Sequence, residues 1–314
     1  MRVVAVSMVR NERDIIESFV RHNAAFVDAH LILDQGSTDG TVDILRALAD
    51  EGFDVVVGTD PRPGYYQAER TTPLMRRAVG EFDADWVIPI DADEFIVAPS
   101  RRALRKILAS FDGAVAWSWL TYVARPQDDP GETNVVLRIR HRIQEDTPRD
   151  AKVVVPASLA ATATLLQGNH DLVEEGVRAD GRLAGAALAH FPVRSPEQLG
   201  VKVAISTLQY LARGERHDWG HHYLELYELL AAGWDGFVAA YYEQATRFGL
   251  RPGQPLGGTV IEDPLAYAGG RLRYTSGLRS DEPFRSILEY ALDVAERYGS
   301  SRSAEPFLAQ PTDG

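Results

Sequence analysis

Between residues 84 and 95 the chain reads Ala84-Asp85-Trp86-Val87-Ile88-Pro89-Ile90-Asp91-Ala92-Asp93-Glu94-Phe95, an apolar run that ends in three carboxylates. Carboxylates at the end of a buried strand repel one another and lose hydration, so a cation or a hydrogen-bonding ligand stabilises them there. Extended backbone directs Asp91 and Asp93 to the same side, and hard oxygen ligands suit Mg²⁺ or Mn²⁺. The alternative is a strand that ends in an ordinary polar turn.

Length, charge and cysteine content narrow the class of protein. The 314 residues favour one large domain with an appendage. Lys and Arg total 33 against 45 Asp and Glu, which argues against nucleic acid or an anionic lipid surface as the main partner. The absence of cysteine excludes disulfides and thiolate metal sites. Because no apolar run reaches membrane-spanning length and no signal peptide is recognisable, we expect a soluble, cytoplasmic protein with no transmembrane segment.

Short apolar runs alternate with helical patterns in the first part of the chain. Residues 3–9, 29–33 and 53–57 are rich in Val, Ile and Leu, and apolar residues recur at helical spacing between them. This alternation is typical of an α/β fold with a parallel sheet. In such sheets ligands bind at the carboxyl ends of the strands. That rule brings the polar residues at these ends to one edge: Asn11, Glu12, Asp34, Asp91 and Asp93.

Two loops at this edge have features of a nucleotide site. Asp34 ends a strand beside Gly36 and Gly40, where a carboxylate can accept hydrogen bonds from a ribose or a base. The alternative for residues 37–40 is a well-made turn that caps a helix. The predicted helix over 68–79 carries Arg70 with two further arginines, which suit a diphosphate or else face water.

The order of these motifs resembles glycosyltransferase family 2. They are Asn11-Glu12 after the first strand, then Asp34-Gln35-Gly36-Ser37-Thr38-Asp39-Gly40-Thr41, then Asp91-Ala92-Asp93-Glu94-Phe95. The last motif resembles a subgroup found in bacterial polysaccharide or glycan gene sets. The resemblance implies a GT-A-like nucleotide-sugar-binding fold with a mostly parallel central sheet, a divalent cation, and inverting transfer from a nucleoside diphosphate sugar.

The resemblance also implies roles for single residues. Asn11, Glu12, Asp34 and Asp39 match loops that contact the nucleotide, and Asp91 and Asp93 match the two aspartates of the D-x-D element, where the second is the usual metal ligand. Gln35 replaces the more common second aspartate of the family. Pro89 is unusual within a central strand because it has no N–H for the ladder.

Two later segments extend the resemblance to the subgroup. One is residues 152–156, beginning with Lys152, and the other is 189–195 around His190, with Lys202 further on. His190 is predicted to complete the metal or diphosphate site, because a neutral imidazole can ligate Mn²⁺. The alternative is a hydrogen-bonded structural histidine, and the same two interpretations apply to His170.

Aromatic residues and the C-terminal part of the chain carry weaker signals. Trp117, Trp119 and Tyr122 suit stacking on a sugar ring, or else packing within the sheet. Residues 1–195 are predicted to form the GT-A-like domain, and 196–314 a mostly helical C-terminal extension. Its cluster of His217, Asp218, His221 and His222 favours a solvated surface over a metal site.

The function predicted from the sequence is metal-dependent, inverting glycosyl transfer to a glycan, lipid-linked or small-molecule acceptor. The acceptor hydroxyl needs a base, for which Glu145, Asp146 and Asp171 are the candidates. Two other classes of protein stay open, a nucleotidyltransferase and an inactive carbohydrate- or nucleotide-binding protein. The first is disfavoured because the chain has no Gly-rich basic loop near its N-terminus.

Overall fold

The computed structural model describes residues 1–62, 64–145, 151–173, 183–213, 221–248, 250, 255–256, 258–275 and 282–302. The strands are β1 Val3–Val9, β2 Ala29–Asp34, β3 Val55–Thr59, β4 Trp86–Pro89, β5 Glu94–Val97, β6 Val115–Thr121, β7 His141–Glu145, β8 Ala151–Pro156, β9 Thr164–Leu165, β10 Leu172–Val173, β11 Ala187–His190 and β12 Gly258–Glu262. The helices are α1 Ile16–Asn23, α2 Thr41–Asp50, α3 Gln67–Phe82, α4 Arg101–Leu108, α5 Val135–Arg138, α6 Ala157–Ala160, α7 Pro196–Arg213, α8 His221–Ala232, α9 Trp234–Arg247 and α10 Glu282–Arg302, with a 3₁₀ turn at Gln167–Asn169.

An eight-stranded sheet forms the centre, in the order β3-β2-β1-β4-β8-β6-β11-β5. β1 pairs in parallel with β2 and β4, β2 with β3, and β6 with β11. β8 runs antiparallel to β4 and β6, and β5 runs antiparallel to β11. Six strands therefore point in one direction and two in the other. The predicted α/β class, with a mostly parallel sheet followed by a helical C-terminal region, is confirmed.

The sheet is buried on both faces because its side chains alternate between two apolar clusters. In β4, Trp86 and Ile88 face the larger cluster and Val87 faces the smaller one. Pro89 is the last residue of this strand, and the ladder continues through Ile90 N, which donates to Val6 O at 3.0 Å. The position at the strand end explains how a central strand accommodates this proline.

The C-terminal helices pack on the sheet domain. Leu199 and Val203 of α7 belong to the same buried cluster as Phe191, which follows β11. β12 returns to pair antiparallel with β7. The division at residue 195 stays a prediction about folding units. Among the helices described, none combines the length and apolar composition needed to cross a bilayer.

Candidate functional site

The carboxyl ends of the parallel strands converge on a cluster of charged residues. β4 lies in the middle of the sheet and is followed directly by Asp91 and Asp93, while β11 ends at His190. β8 runs antiparallel to β4, so the beginning of β8, with Lys152 as its second residue, lies at the same edge. Residues from three parts of the sequence thus meet at one place.

Asp91 is the most open of these carboxylates, with 30% of its side chain exposed. Its Oδ2 accepts from Lys152 Nζ at 2.5 Å, and its Oδ1 accepts from Gln67 Nε2 at 2.7 Å. The Lys152 side chain is only 1% exposed, so Asp91 provides the charge that makes its burial tolerable. Gln67 also accepts from Gly168 N at 2.9 Å and thereby fixes the 3₁₀ turn next to the site.

Asp93 is buried, and three positively polarised groups surround it. Lys202 Nζ donates to its Oδ2 at 2.9 Å, His190 Nε2 lies 3.7 Å from Oδ1, and Arg194 Nη1 lies 3.8 Å from Oδ2. Burial on its own raises the pKa of Asp93, but its basic neighbours, Lys202 above all, outweigh burial and hold the pKa well below its usual range. Asp93 is therefore an anion throughout the physiological pH range.

Glu94 is a member of the cluster that the sequence did not single out as a site residue. Its Oε2 accepts from Asp91 N at 2.8 Å, which fixes the turn between β4 and β5. Its Oε1 lies 3.5 Å from Lys152 Nζ and accepts no hydrogen bond from the described residues. Burial raises the pKa of Glu94 to about 8, with Lys152 opposing the shift and Asp91 adding to it. At neutral pH this side chain is mostly a neutral acid.

His190 lies between Asp93 and an aromatic side chain. Its ring stacks on Trp119 with the centroids 4.4 Å apart, and the other edge of Trp119 meets His170 at 5.2 Å. Burial lowers the pKa of His190 to about 4, against the opposing charge of Asp93, so the imidazole is neutral at pH 7. Its Nδ1 is buried and has no hydrogen-bond partner among the described residues.

The three aromatic candidates have different environments. Trp117 is fully buried, and Tyr122 stacks on Phe191 in the core at 4.4 Å, so both serve packing. Trp119 is half-buried and contacts the site, where Lys152 Nζ lies 5.7 Å from its ring centroid. Only Trp119 of the three is placed to meet a ligand at the cluster.

Asp91, Asp93 and His190, the predicted metal ligands, come together at this edge, and their role as ligands stays a prediction. Among the residues that the structure describes, no three His, Asp or Glu side chains make a group that could hold a metal ion. Asp91 Oδ2 and Asp93 Oδ2 accept hydrogen bonds from the ammonium groups of Lys152 and Lys202. The oxygen and nitrogen donors are of the right type for Mn²⁺, but the positions are taken by positive charge.

A second charged group joins the first strand to the site. Arg194 is 1% exposed, and its guanidinium donates to Glu12 Oε2 at 2.6 Å and to Asp14 Oδ2 at 2.7 Å. Burial raises the pKa of Glu12 to about 7, although Arg194 lowers it. Through Arg194, the loop after β1 and the loop after β11 are locked to each other beside Asp93.

The residues predicted to bind the nucleoside form a network that shapes the loops after β1 and β2. Asp34 is buried and accepts from the N–H groups of Gly36 at 2.9 Å and Ser37 at 3.0 Å. Asn11, whose φ of 52° is left-handed, accepts from Thr38 N through Oδ1 at 2.8 Å.

Asp39 belongs to the same network. It accepts from Arg13 N at 3.0 Å and from Thr41 N at 2.9 Å, and burial raises its pKa. These contacts agree with the alternative that residues 37–40 form a turn that caps helix α2.

Arg70 is buried and directed at its own loop. Its Nε donates to Asp60 Oδ2 at 3.0 Å, its Nη1 to Gly64 O at 2.9 Å and its Nη2 to Arg62 O at 2.6 Å. All three guanidinium nitrogens thus donate to Asp60, Arg62 or Gly64. These contacts stabilise the loop before α3, and the binding of a diphosphate by Arg70 stays a prediction.

The candidate bases are only partly described. Asp171 is half-buried, accepts from Leu172 N at 2.9 Å, and follows His170 next to the site. The backbone of Glu145 pairs with Gly258, and its side chain lies outside the description. Asp146 lies outside the described residues, as do His217 and Asp218, while His221 and His222 are described only as backbone of α8.

Comparison with known proteins gives one relative in sequence. No family model matches the chain. The lipopolysaccharide core biosynthesis glycosyltransferase LpsC of Rhizobium meliloti (strain 1021) is 28% identical over 186 residues, which cover 57% of this chain and 60% of the relative. The chain therefore spans less than two thirds of that relative's length.

Solved structures are similar at a lower level. TarS of S. aureus has a TM-score of 0.38 and 12% identity, covering 66% of this chain and 39% of TarS. The mannosyltransferase PcManGT from Pyrobaculum calidifontis, in complex with GDP-Man and Mn²⁺, has a TM-score of 0.31 and 25% identity, covering 40% of this chain and 36% of that one. The strand order and the contacts of this chain itself carry the functional assignment.

Proposed function

We propose that the protein is a GT-A-type glycosyltransferase that moves a sugar from a nucleoside diphosphate sugar to a hydroxyl acceptor. The observation that carries the proposal is the placement of Asp91 and Asp93 at the carboxyl end of the central strand β4, with Lys152 and Trp119 beside them. This edge is where open α/β sheets bind ligands. The sequence similarity to LpsC supports the same class of activity.

The donor's nucleoside is assigned to the loops after β1 and β2. Asn11, Asp34 and Asp39 hold these loops in shape through the hydrogen bonds described above, and left-handed Gly36 and Gly40 bring backbone close to the surface. Glu12 connects this region to Arg194 and so to Asp93. The nucleoside and the diphosphate thus lie at adjacent parts of one continuous edge.

The sugar is assigned to the half-buried face of Trp119. An aromatic ring offers a flat apolar surface to the C–H groups of a pyranose, and the polar neighbours Asp91 and His170 can accept or donate hydrogen bonds around it. Because the name of the relative refers to lipopolysaccharide core biosynthesis, the acceptor that we propose is a glycan. Lipid-linked and small-molecule acceptors are the other classes to be tried.

The transfer that we propose is a single displacement with inversion. The acceptor oxygen forms a bond to the anomeric carbon while the bond from that carbon to the diphosphate oxygen breaks, and its electron pair stays on the leaving nucleoside diphosphate. The acceptor proton passes to a carboxylate base. Asp171 is the candidate within the described residues, and Glu145 and Asp146 stay predictions from the sequence. Because Lys152 and Lys202 hold the two aspartates in this arrangement, no step is assigned to Mn²⁺ or Mg²⁺.

Product analysis tests the proposal and separates it from the two alternatives. The full chain is incubated with a panel of nucleoside diphosphate sugars and with glycan, lipid-linked or small-molecule acceptors. A glycosyltransferase releases nucleoside diphosphate and forms a glycoside of inverted anomeric configuration. Release of pyrophosphate from a nucleoside triphosphate and a sugar phosphate would identify a nucleotidyltransferase instead. Binding without either product would indicate an inactive carbohydrate- or nucleotide-binding protein.

A further inference from the structure

Lysine is rare in this chain and is concentrated at the candidate site. Only three of the 33 Lys and Arg residues are lysines, at positions 106, 152 and 202. Lys152 contacts Asp91, and Lys202 contacts Asp93. Lysine differs from arginine in presenting a compact charge with three donors on a flexible stem, a form suited to phosphate. Two lysines at one site, in a chain that uses arginine almost everywhere else, therefore indicate a function of the ammonium group itself.

Lys152 is held in place on two sides. It lies in β8 with a side chain 1% exposed, and its Nζ is 2.5 Å from Asp91 Oδ2 and 3.5 Å from Glu94 Oε1. A buried lysine keeps its positive charge only if carboxyl groups, here those of Asp91 and Glu94, stay close to it. Burial lowers its pKa, but the charge of the hydrogen-bonded Asp91 is the main influence that raises it, and the pKa lies above its ordinary value. The side chain is thus a fixed cation directly behind the half-exposed Asp91.

Lys202 reaches the site from the other direction. It lies on α7, in the part of the chain after residue 195, and 22% of its side chain is exposed. Its Nζ donates to Asp93 Oδ2 at 2.9 Å and to Pro192 O at 3.3 Å. These contacts account for two of its three N–H donors, and the ammonium group also lies 5.5 Å from the ring centroid of Phe248.

We propose that Lys152 and Lys202 supply the positive charge that binds the donor's diphosphate, and that Asp91 and Asp93 are positioning residues for the two ammonium groups, not ligands of a divalent cation. This inference rests on the proposed function. It assigns the task usually expected of a metal ion to two side chains of the chain itself.

Electrostatics favours this assignment in the arrangement described. A divalent cation bound to Asp91 Oδ2 and Asp93 Oδ2 would sit within a few ångströms of two ammonium groups, and like charges at such distances repel strongly. A diphosphate at the same edge instead finds two cations already in place, the partly exposed Lys202, which it can contact, and the buried Lys152, which attracts it from behind Asp91. Because the aspartates fix the ammonium groups before the ligand arrives, little side-chain freedom is lost on binding.

The test is a titration of the full chain with UDP and GDP by calorimetry, in excess EDTA and, separately, in excess Mn²⁺. The variants are Lys202→Gln, which removes the charge, and Lys202→Arg, which keeps it. The control is Lys106→Gln, because Lys106 is exposed on α4. Uridine and guanosine are titrated in parallel, since a nucleoside lacks the diphosphate. Circular dichroism establishes that each variant is folded.

The expected result is nucleotide binding in EDTA that is within about threefold of that in Mn²⁺, a loss of roughly ten- to a hundredfold for Lys202→Gln, and unchanged affinity for Lys106→Gln. The affinity for uridine and guanosine should stay the same in every variant. A variant with a structural defect would instead lose affinity for nucleosides and nucleotides alike. Lys202→Arg should retain part of the affinity.

Three outcomes would overturn the inference in distinguishable ways. Binding that disappears in EDTA and returns with Mn²⁺ would restore the metal and leave the proposed function intact. Unchanged UDP and GDP affinity of folded Lys202→Gln would remove this lysine from the site. If neither nucleotide binds under either condition, the proposed function fails and the inference with it. Should Lys202→Gln not fold, the comparison of the parent in EDTA and Mn²⁺ still decides.

Discussion

The ion pair between Lys202 and Asp93 is expected to couple the C-terminal helices to the sheet domain energetically. The two groups lie 2.9 Å apart, and their side chains are 22% and 6% exposed. At an effective dielectric constant of about 20 their attraction is about 6 kcal/mol before desolvation is counted. Desolvation offsets most of this, so we expect a coupling energy of about 1–3 kcal/mol.

A double-mutant cycle measures this coupling. The variants are Asp93→Asn, Lys202→Met and the double substitution, each unfolded by heat in EDTA. Either single change leaves a mostly buried charge without its partner and should cost about 3 kcal/mol, the low end for buried pairs because Lys202 is partly hydrated. For a chain of 314 residues that corresponds to a decrease in Tm of about 4–5 °C.

The double variant should lose less stability than the sum of the two single variants. Strict additivity within about 0.5 kcal/mol, the usual error for independent sites, would refute the claim that the two groups form an energetic pair. A cycle between Lys106→Gln and Asp93→Asn serves as the control and should be additive. The measurement needs no ligand and is independent of the function assigned to the site.

Three further predictions concern stability and sugar binding. Burial lowers the pKa of His30 to about 3, so its contribution to stability is present above pH 6.5 and is lost as the pH falls. The free energy of unfolding should decrease by about 2 kcal/mol between pH 6.5 and 5. In urea denaturation, His30→Gln should make this decrease smaller. Burial raises the pKa of Glu94 to about 8 from an ordinary value of 4.5, so the folded state holds a proton that the unfolded state releases and stability should fall as the pH rises through this window. Glu94→Gln should flatten that fall, and an unchanged profile would show that Glu94 is ionised in the fold. Trp119→Ala should raise KM for the donor sugar about two- to tenfold with Trp119→Phe in between, and equal KM values in all three proteins would remove Trp119 from the sugar site.

Local sequence patterns were sufficient for the elements near the N-terminus. The apolar runs at 3–9 and 29–33 correspond to β1 and β2, and the helix predicted over 68–79 is α3, Gln67–Phe82. Such elements depend on the spacing of neighbouring apolar residues, which the sequence displays directly.

The carboxylates of the site could also be located from the sequence, but their chemistry could not. Asp91 and Asp93 follow a buried strand and were therefore expected at the ligand edge, as observed. The pattern D-x-D does not reveal what each carboxylate contacts. Glu94 was visible as the third carboxylate of the run, yet its raised pKa follows from burial, which only the packing of β5 creates.

The sequence by itself determined the α/β class, the order of the early strands and helices, and the position of the acidic turn after β4. Tertiary structure alone decided the partners of that turn. Lys152 is 61 residues from Asp91 along the chain, and Lys202 is 109 from Asp93. The pairs meet because β8 inserts antiparallel next to β4 and because Leu199 and Val203 of α7 join the buried cluster of Phe191. No local preference encodes such pairings, since the cost of closing long loops is met only when the whole sheet and its helices bury their apolar faces together.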